Sequence, residues 1–449
     1  MSNRPRLKLG RRTLLLHGAA AATVFHVPAL WAQASPSPEL TSRIKRALGS
    51  VLSIDNHTHL LTAAPPYSRQ ADAGSPLLLR STRPEMVEVL RSRFGIAWDP
   101  AQGERLDAEG RAARQRLIER AGGPAGYWAE HLALSGNEVA LVNQYTPEGT
   151  DGRQLRWVAT ISTLLAPLPG AGLAAGRPHV GWYLETSQSQ LRTLWAAEGQ
   201  GGVAGPPATL AAYLAFCDRR LTQMRQQGAV AVKLYDAYYR SLRMADVPFA
   251  AADALYTRGL LSPLPRDDYL ALQDHLLRHL LLRCGEMKLP VHIHSSHGAG
   301  PFLRLQDADV RNLEDVLTDT RYRNTQFVLI HGGAPWHEAA AYLAGNKRHV
   351  WLDLSAMPFL YAPSEMARAI RTYLLFAPER TLFGTDPMAA PMIPVGPETA
   401  HLMLCQVLRH ALDLALAGLV EDGVFGEAQA IELGRGVLRD NARRLYGWA

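Results

Sequence analysis

The hydrophobic residues of this chain form eight short apolar runs, separated by longer stretches in which apolar residues recur every three or four positions. A short apolar run bounded by glycine, proline or polar residues is typical of a buried strand. We predict strands over 51–59, 138–143, 156–163, 229–235, 290–295, 326–331, 350–355 and 380–386.

The stretches between most of these strands have the spacing of amphipathic helices. We predict helices over 39–49, 104–120, 124–134, 208–227, 267–288, 313–321, 336–345 and 364–376, and a helical tail over 401–448. Strands that alternate with helices of this length are typical of parallel βαβ units. Continuously apolar strands indicate burial on both faces of the sheet.

Eight strands are the number that closes a (β/α)8 TIM barrel, and this α/β fold is our prediction for residues 51–449. An open doubly wound sheet is the competing architecture. The Gly-x-Gly-x-x-Gly turn of dinucleotide-binding sheets follows none of the predicted strands, which favours the barrel.

A long stretch after the first strand, residues 60–135, lacks strand signals and contains several proline breakers. We predict a helical insertion here that lies over the mouth of the barrel as a lid. Helices that simply pack on the outside of the barrel are an equal alternative.

The first 34 residues have the pattern of an export signal. The start is basic and includes Arg11 and Arg12, an alanine-rich apolar run follows, and Ala32-Gln33-Ala34 is a small-residue cleavage site. The arginine pair is typical of twin-arginine signals. We predict a signal peptide over 1–34, a linker and helix over 35–50, and a periplasmic or exported protein that engages the export machinery. A retained transmembrane helix is the alternative.

The formal charge of +6 changes once this segment is set aside, because five basic residues lie in it and leave about +1 for the rest. We therefore expect no nucleic-acid partner, and no stable membrane insertion after cleavage. Three scattered cysteines do not predict a disulfide framework. We expect a small-molecule substrate and leave the oligomeric state open, a homo-oligomer included.

Polar residues of metal-binding type end five of the predicted strands. In a TIM barrel the carboxyl ends of the strands form one ring, where chemistry takes place. In strand 1, two histidines two positions apart point to the same face and can bind one ion. The strand-end residues are His57 and His59 (strand 1), Lys233 (strand 4), His292 and His294 (strand 5), His331 (strand 6) and Asp386 (strand 8).

These motifs resemble those of the metal-dependent amidohydrolase superfamily, in particular its amidohydrolase-related branch. The likeness keeps the family's order over nearly the whole chain after the signal segment. The matching stretches are Asp55-Asn56-His57-Thr58-His59, Val291-His292-Ile293-His294, Leu329-Ile330-His331-Gly332-Gly333, Leu382-Phe383-Gly384-Thr385-Asp386 and Asp440-Asn441-Ala442-Arg443-Arg444-Leu445.

The resemblance implies a divalent ion, usually zinc, bound by His57 and His59. Asp386 would bind the ion and act as general base toward the attacking water, whose pKa the ion lowers to about 7. His294 would be a further ligand, with His292 as a buried support; the reverse is the alternative.

His331 and Lys233 distinguish one-ion from two-ion members of the family. His331 would bind a second ion, or act as acid and base beside a single ion. Lys233 would be carboxylated and bridge two ions, which requires the neutral amine that burial favours. A lysine paired with a carboxylate or a substrate anion is the alternative.

Candidate substrate-binding residues follow strands 4 and 6. Arg240 could bind a substrate carboxylate as a bidentate fork, with surface packing as the alternative. Tyr239 and Trp336 are further candidates for lining the pocket.

We predict a periplasmic metal-dependent hydrolase that acts on a small ester, lactone or amide-type bond. The first alternative is a one-metal decarboxylase of an aromatic or unsaturated carboxylic acid, because the same branch contains such lyases. A metal-binding sensory module without turnover is the alternative from another class. The presence of a candidate base, Asp386, argues against it.

Overall fold

Eight parallel strands form the centre of the protein, in a computed structural model that describes residues 36–448 except 100, 102, 199–204 and 299–302. The hydrogen-bonded order follows the sequence from the first strand to the eighth. The predicted signal peptide over 1–34 lies outside the described residues. The strands are β1 (Ser53–Thr58), β2 (Asn137–Gln144), β3 (Leu155–Thr160), β4 (Ala231–Leu234), β5 (Val291–His294), β6 (Phe327–Ile330), β7 (Val350–Asp353) and β8 (Thr381–Leu382).

The barrel closes between β1 and the end of β8 through backbone hydrogen bonds, one of which runs from His59 N–H to the Pro387 carbonyl at 3.1 Å. Asn56 N–H donates to the Phe383 carbonyl at 2.9 Å, and Asp386 N–H donates to the His57 carbonyl at 2.8 Å. We call this line of contacts the β8–β1 junction. The predicted TIM barrel is confirmed, although β8 itself has only two residues rather than the seven predicted.

The helices surround the barrel and connect successive strands. They are α1 (Pro38–Leu48), α2 (Arg69–Gly74), α3 (Pro84–Phe94), α4 (Gly103–Arg120), α5 (Pro124–Ser135), α6 (Ala171–Ala174), α7 (Pro178–Glu198), α8 (Leu210–Gln226), α9 (Phe249–Leu261), α10 (Arg266–Glu286), α11 (Glu314–Thr318), α12 (His337–Asn346), α13 (Met357–Leu360), α14 (Pro363–Phe376), α15 (Pro397–Glu421), α16 (Glu427–Arg435) and α17 (Asn441–Tyr446).

Outside the insertion, the periodicity argument missed four helices of the described residues, α6, α7, α9 and α13, and within the insertion it gave no bounds for α2 and α3. The predicted helix over 313–321 is also shorter than expected, because only Glu314–Thr318 is α-helical and 3₁₀ turns flank it. The signal was present in the longest of these segments, because the buried residues Val180, Tyr183, Leu184, Leu191 and Trp195 of α7 recur at helical spacing.

The insertion, α2 to α5, packs against loops at the carboxyl end of the barrel. Ser68 N–H donates to the Pro391 carbonyl at 2.7 Å, in the loop after β8. Arg83 Nη1 donates to the Pro358 carbonyl at 3.0 Å, in the segment after β7. The insertion therefore borders the end of the barrel where we predict the chemistry, and its action as a lid stays a prediction.

Helix α15 is apolar and long enough to cross a membrane by length and composition, yet 72% of its apolar window is buried inside the protein. It packs against α14, α1 and α16. Its hydrophobic character is therefore accounted for by its position in the core.

Helix α17 lies against the interior of the barrel. The Tyr446 hydroxyl donates to Asn56 Oδ1 and lies 2.8 Å from His292 Nε2. His292 is fully buried and its Nε2 is paired with this tyrosine. Its Nδ1 has no hydrogen-bond partner among the described residues, so the supporting role of His292 stays a prediction, with ligation of the ion as its alternative.

Candidate metal centre

Three side chains at the β8–β1 junction meet at one carboxylate oxygen. Asp386 Oδ1 lies 3.3 Å from His57 Nε2 and 3.5 Å from His59 Nε2. His57 and Asp386 are buried, whereas about a third (35%) of the His59 side chain is exposed. The His-x-His pair therefore presents both imidazoles to the same point, as the two-residue repeat of a strand predicts.

His331 and His294 complete the cluster from β6 and β5. His331 Nε2 lies 3.1 Å from His294 Nδ1, and His331 Nδ1 lies 3.9 Å from Asp386 Oδ2. His331 and Asp386 both have left-handed backbone conformations, with φ of 72° and 60°. Such conformations are unfavourable for residues other than glycine and are concentrated at functional sites.

The donor set fits a divalent ion. One ligand atom each from His57, His331 and Asp386 lie within 4.8 Å of one another, and all three residues are buried. Burial lowers the pKa of His57, His294 and His331, so the imidazoles are neutral and can offer lone pairs. His294 Nε2 is buried and has no hydrogen-bond partner among the described residues. These are nitrogen and oxygen donors of the type that zinc prefers.

Lys233 lies beside the cluster in β4. Its Nζ is 3.3 Å from His57 Nε2, and the residue is buried. Burial lowers the pKa of the Lys233 amine, while the nearby Asp386 and Asp353 carboxylates oppose that change. Burial raises the pKa of Asp386, and Lys233 opposes the rise. A buried amine with a lowered pKa is the group that can react with carbon dioxide.

Asn143 at the end of β2 orients His57, and the sequence argument missed it. Its amide nitrogen lies 2.7 Å from His57 Nδ1, and its Oδ1 has no partner among the described residues. Rotation of the amide by 180° would allow Oδ1 to accept the Nδ1 proton and free Nε2 to bind an ion. The signal was present, because Asn143 is a polar residue at a strand end.

Two further polar strand ends were also missed, both at β7. Ser355 Oγ lies 3.0 Å from His331 Nδ1 and holds that ring. Asp353 is fully buried and accepts hydrogen bonds from the Asn56 amide at 2.8 Å and from Ser355 N–H at 2.9 Å. Burial raises the pKa of Asp353 to about 6. Both residues support the ring of ligands.

Arg240 is a correction to the predicted substrate-binding set. Its guanidinium is buried and paired with Asp274 in α10. It also donates to the Ser241 carbonyl at 3.1 Å and to the Arg243 carbonyl at 2.9 Å. A guanidinium whose donors are held by the protein in this way fixes the loop after β4, so the packing alternative is the better description.

The other two candidates, Tyr239 and Trp336, follow β4 and β6 in the chain, and their substrate-binding role stays a prediction. Tyr239 stacks on Tyr183 with ring centroids 3.6 Å apart. Trp336 is half-buried, and the Arg311 guanidinium lies 5.6 Å from its ring. Tyr238, which we did not single out for this role, approaches closer to the ligands, with its ring centroid 4.6 Å from that of His294.

Comparison with solved structures supports the barrel. A protein provisionally named as a metal-dependent hydrolase from Lactobacillus casei is 17% identical with a TM-score of 0.61, over 91% of this chain and 97% of that one. Glucuronate isomerase from Caulobacter crescentus is 15% identical with a TM-score of 0.62, over 92% and 95% of the two chains. At these identities the likeness concerns the fold alone.

Sequence comparison identifies the family. Protein fluG of Emericella nidulans is 27% identical over 188 residues, which are 40% of this chain. The match spans about a fifth (21%) of the length of that relative. Residues 207–448 match the family described as amidohydrolase, which is more than half of the 449 residues. The chain therefore belongs to the amidohydrolase family.

Proposed function

We propose that this protein is a metal-dependent hydrolase that acts on a small ester, lactone or amide-type bond. The observation that carries the proposal is the approach of both strand-1 imidazoles to one oxygen of Asp386, at 3.3 and 3.5 Å. A pair of histidines and a carboxylate that meet in this way, at the carboxyl end of a TIM barrel, support hydrolytic chemistry.

His57, His59 and Asp386 would hold the ion, with His294 and His331 as further ligands. A bound divalent ion supplies Lewis acidity that makes a water molecule acidic near neutral pH. Asp386 would accept the proton of the attacking water, because its carboxylate lies at the point where the His57 and His59 imidazoles meet. The strained backbone of Asp386 holds the carboxylate toward the histidines.

One or two ions remain the alternatives, and Lys233 distinguishes them. Carboxylation of Lys233 would create an anionic ligand beside His57 and support a two-ion hydrolase. The 3.1 Å contact between His331 Nε2 and His294 Nδ1 favours the second candidate, a one-ion decarboxylase. In that arrangement the two imidazoles share a proton, and His331 would serve as an acid and base.

The test combines metal analysis with an activity screen of the purified protein. Zinc per chain is measured together with a crystal structure of the zinc-loaded protein that shows whether Lys233 carries a carbamate, and a panel of esters, lactones and aromatic carboxylic acids is assayed. Two ions, a carbamate on Lys233 and turnover of an ester or lactone support the hydrolase. One ion, a free amine and release of carbon dioxide from a carboxylic acid would replace it with the decarboxylase.

We also propose that the protein is exported through the twin-arginine route. Replacement of Arg11 and Arg12 by lysine should retain the full-length precursor in the cytoplasm, since the arginine pair is the feature that this route reads. Cell fractionation measures the outcome, with Arg4→Lys as the matched control. Normal export of the double variant would contradict the proposal.

A further inference from the structure

A buried carboxylate two residues before His57 joins the two sides of the metal centre. Asp55 is fully buried, and its Oδ1 accepts the His57 backbone N–H at 3.2 Å and the Thr385 backbone N–H at 3.1 Å. Thr385 immediately precedes Asp386. One oxygen therefore fixes the backbone of a histidine on β1 and of the segment that carries the candidate base.

The second oxygen of Asp55 connects this point to two helices. Asp55 Oδ2 accepts the Thr385 hydroxyl and lies 3.1 Å from His401 Nε2. His401, in α15, places its Nδ1 2.8 Å from Nε2 of His131, in α5. Both histidines are fully buried. The chain Asp55–His401–His131 thus runs from the metal centre to the last helix of the insertion.

The hydrogen-bond chemistry of this chain is consistent only if His401 donates to Asp55. An ionised carboxylate can only accept, so the proton between Asp55 and His401 belongs to Nε2. Burial lowers the pKa of His401, but its contacts with Cys405 and with Asp55 outweigh that effect and raise the value to about 10. An imidazolium at this position donates from both nitrogens and leaves His131 Nε2 as the acceptor.

We propose that His401 and His131 are positioning residues that hold Asp55 in place and, through it, set the separation of His57 and Asp386. This inference rests on the proposed function, in which those two residues bind the ion. Residues behind a metal ligand that fix its orientation typically change metal affinity or activity by about 10- to 100-fold when replaced.

A second metal site is the competing explanation for the same cluster. One donor atom each from Asp55, His401 and Cys405 lie within 4.8 Å of one another. The Asp55 oxygens, however, already accept hydrogen bonds from His57, Thr385 and His401. In addition, the Asn137 amide donates to Cys405 Sγ at 3.3 Å. The atoms that would bind an ion are therefore already engaged in hydrogen bonds within the protein. We assign the cluster a hydrogen-bonding role for this reason.

The experiment measures zinc affinity by competition with a chromophoric chelator, on the full chain, which requires no substrate. His401→Phe keeps a ring but deletes both nitrogens, and His401→Gln keeps a donor toward Asp55. His131→Phe deletes only the outer partner. His410→Gln, at an exposed position of the same helix α15, is the matched control. Crystal structures of the metal-free variants give the separation of His57 Nε2 and Asp386 Oδ1.

We expect His401→Phe to weaken zinc binding by about 10- to 100-fold and to lengthen that separation. His401→Gln should recover most of the affinity, His131→Phe should lose less than His401→Phe, and His410→Gln should match the wild type. If His401 only filled space in the core, His401→Gln would bind zinc no more tightly than His401→Phe. If His401→Phe does not fold, the Gln and His131→Phe variants carry the test.

Three results would overturn the inference: unchanged zinc affinity in the folded His401 variants, equal losses in His401→Phe and His401→Gln, or loss of one zinc ion per chain in Cys405→Ala. The last result would identify the cluster as a metal site. Failure of the proposed function is separate, because a wild-type protein that binds zinc but hydrolyses no substrate leaves the affinity comparison intact.

Discussion

Replacement of Asp386 by asparagine tests the chemistry most directly. The amide has nearly the same shape as the carboxylate, so the packing of this buried side chain is retained. The change removes the negative charge that faces His57 and His59 across 3.3 and 3.5 Å, and it removes the group that accepts the proton of water. An amide cannot act as a general base near neutral pH.

The expected loss follows from the role of the group. General-base catalysis typically contributes about 100- to 10,000-fold to the rate. At 1.36 kcal/mol for each factor of ten, this corresponds to an increase in the activation barrier of about 2.7–5.4 kcal/mol. Because the effect belongs to the transition state, kcat and kcat/KM should fall together when zinc is saturating.

The assay is steady-state hydrolysis of the best ester or lactone from the screen, with zinc content measured on the same samples. Asp315→Asn, at an exposed position in α11, is the matched control and should retain wild-type turnover. Turnover of Asp386→Asn within about threefold of the wild type, at full zinc occupancy, would refute the assignment of the base.

Three further predictions concern stability. Gly332→Ala should destabilise the protein by at least about 1–2 kcal/mol in urea unfolding, because φ is 58° and a Cβ would lie 2.5 Å from the Tyr373 hydroxyl oxygen; wild-type stability would contradict this. Burial raises the pKa of Asp413 to about 7, so the folded protein binds the proton more tightly than the unfolded chain, and this stabilisation is lost as pH rises from about 4 to 7. The free energy of unfolding of Asp413→Asn should therefore rise by at least about 1 kcal/mol relative to that of the wild type between pH 4 and pH 8. A difference between the two proteins that does not change with pH would argue against this reasoning. Removal of zinc by a chelator should abolish turnover and lower the free energy of unfolding, by about 4 kcal/mol relative to zinc at 1,000 times its Kd, with readdition restoring both.

Much of the fold could be predicted from the sequence because two signals agree at each strand. The strands are short apolar runs, and the polar residues that end them are the ones that meet in the structure. Asp386 lies more than 300 positions after His57 and His59 in the chain. Parallel strands nevertheless bring these residues together, because the carboxyl ends of the strands form one ring. The assembly of these residues follows from topology alone, whereas their catalytic role stays a prediction.

The residues that support the ring could not be predicted in the same way. His401 and His131 lie on helices and reach Asp55 only through the packing of α15 and α5 on the barrel, which local spacing does not encode. Arg240 was misjudged for a related reason, since its partner Asp274 lies on a helix 34 residues later. Long-range polar pairs of this type require the three-dimensional arrangement.

The β8–β1 junction has a consequence for how the protein moves. His57 and His59 lie on one side of it and Asp386 on the other, and three backbone hydrogen bonds together with the contacts of Asp55 to Thr385 join the two sides. An ion held by these three residues would connect both sides, so local opening of the barrel at this line and release of the ion would be one event. Exchange of the Asn56 and Asp386 amide protons with solvent would then slow as zinc is added.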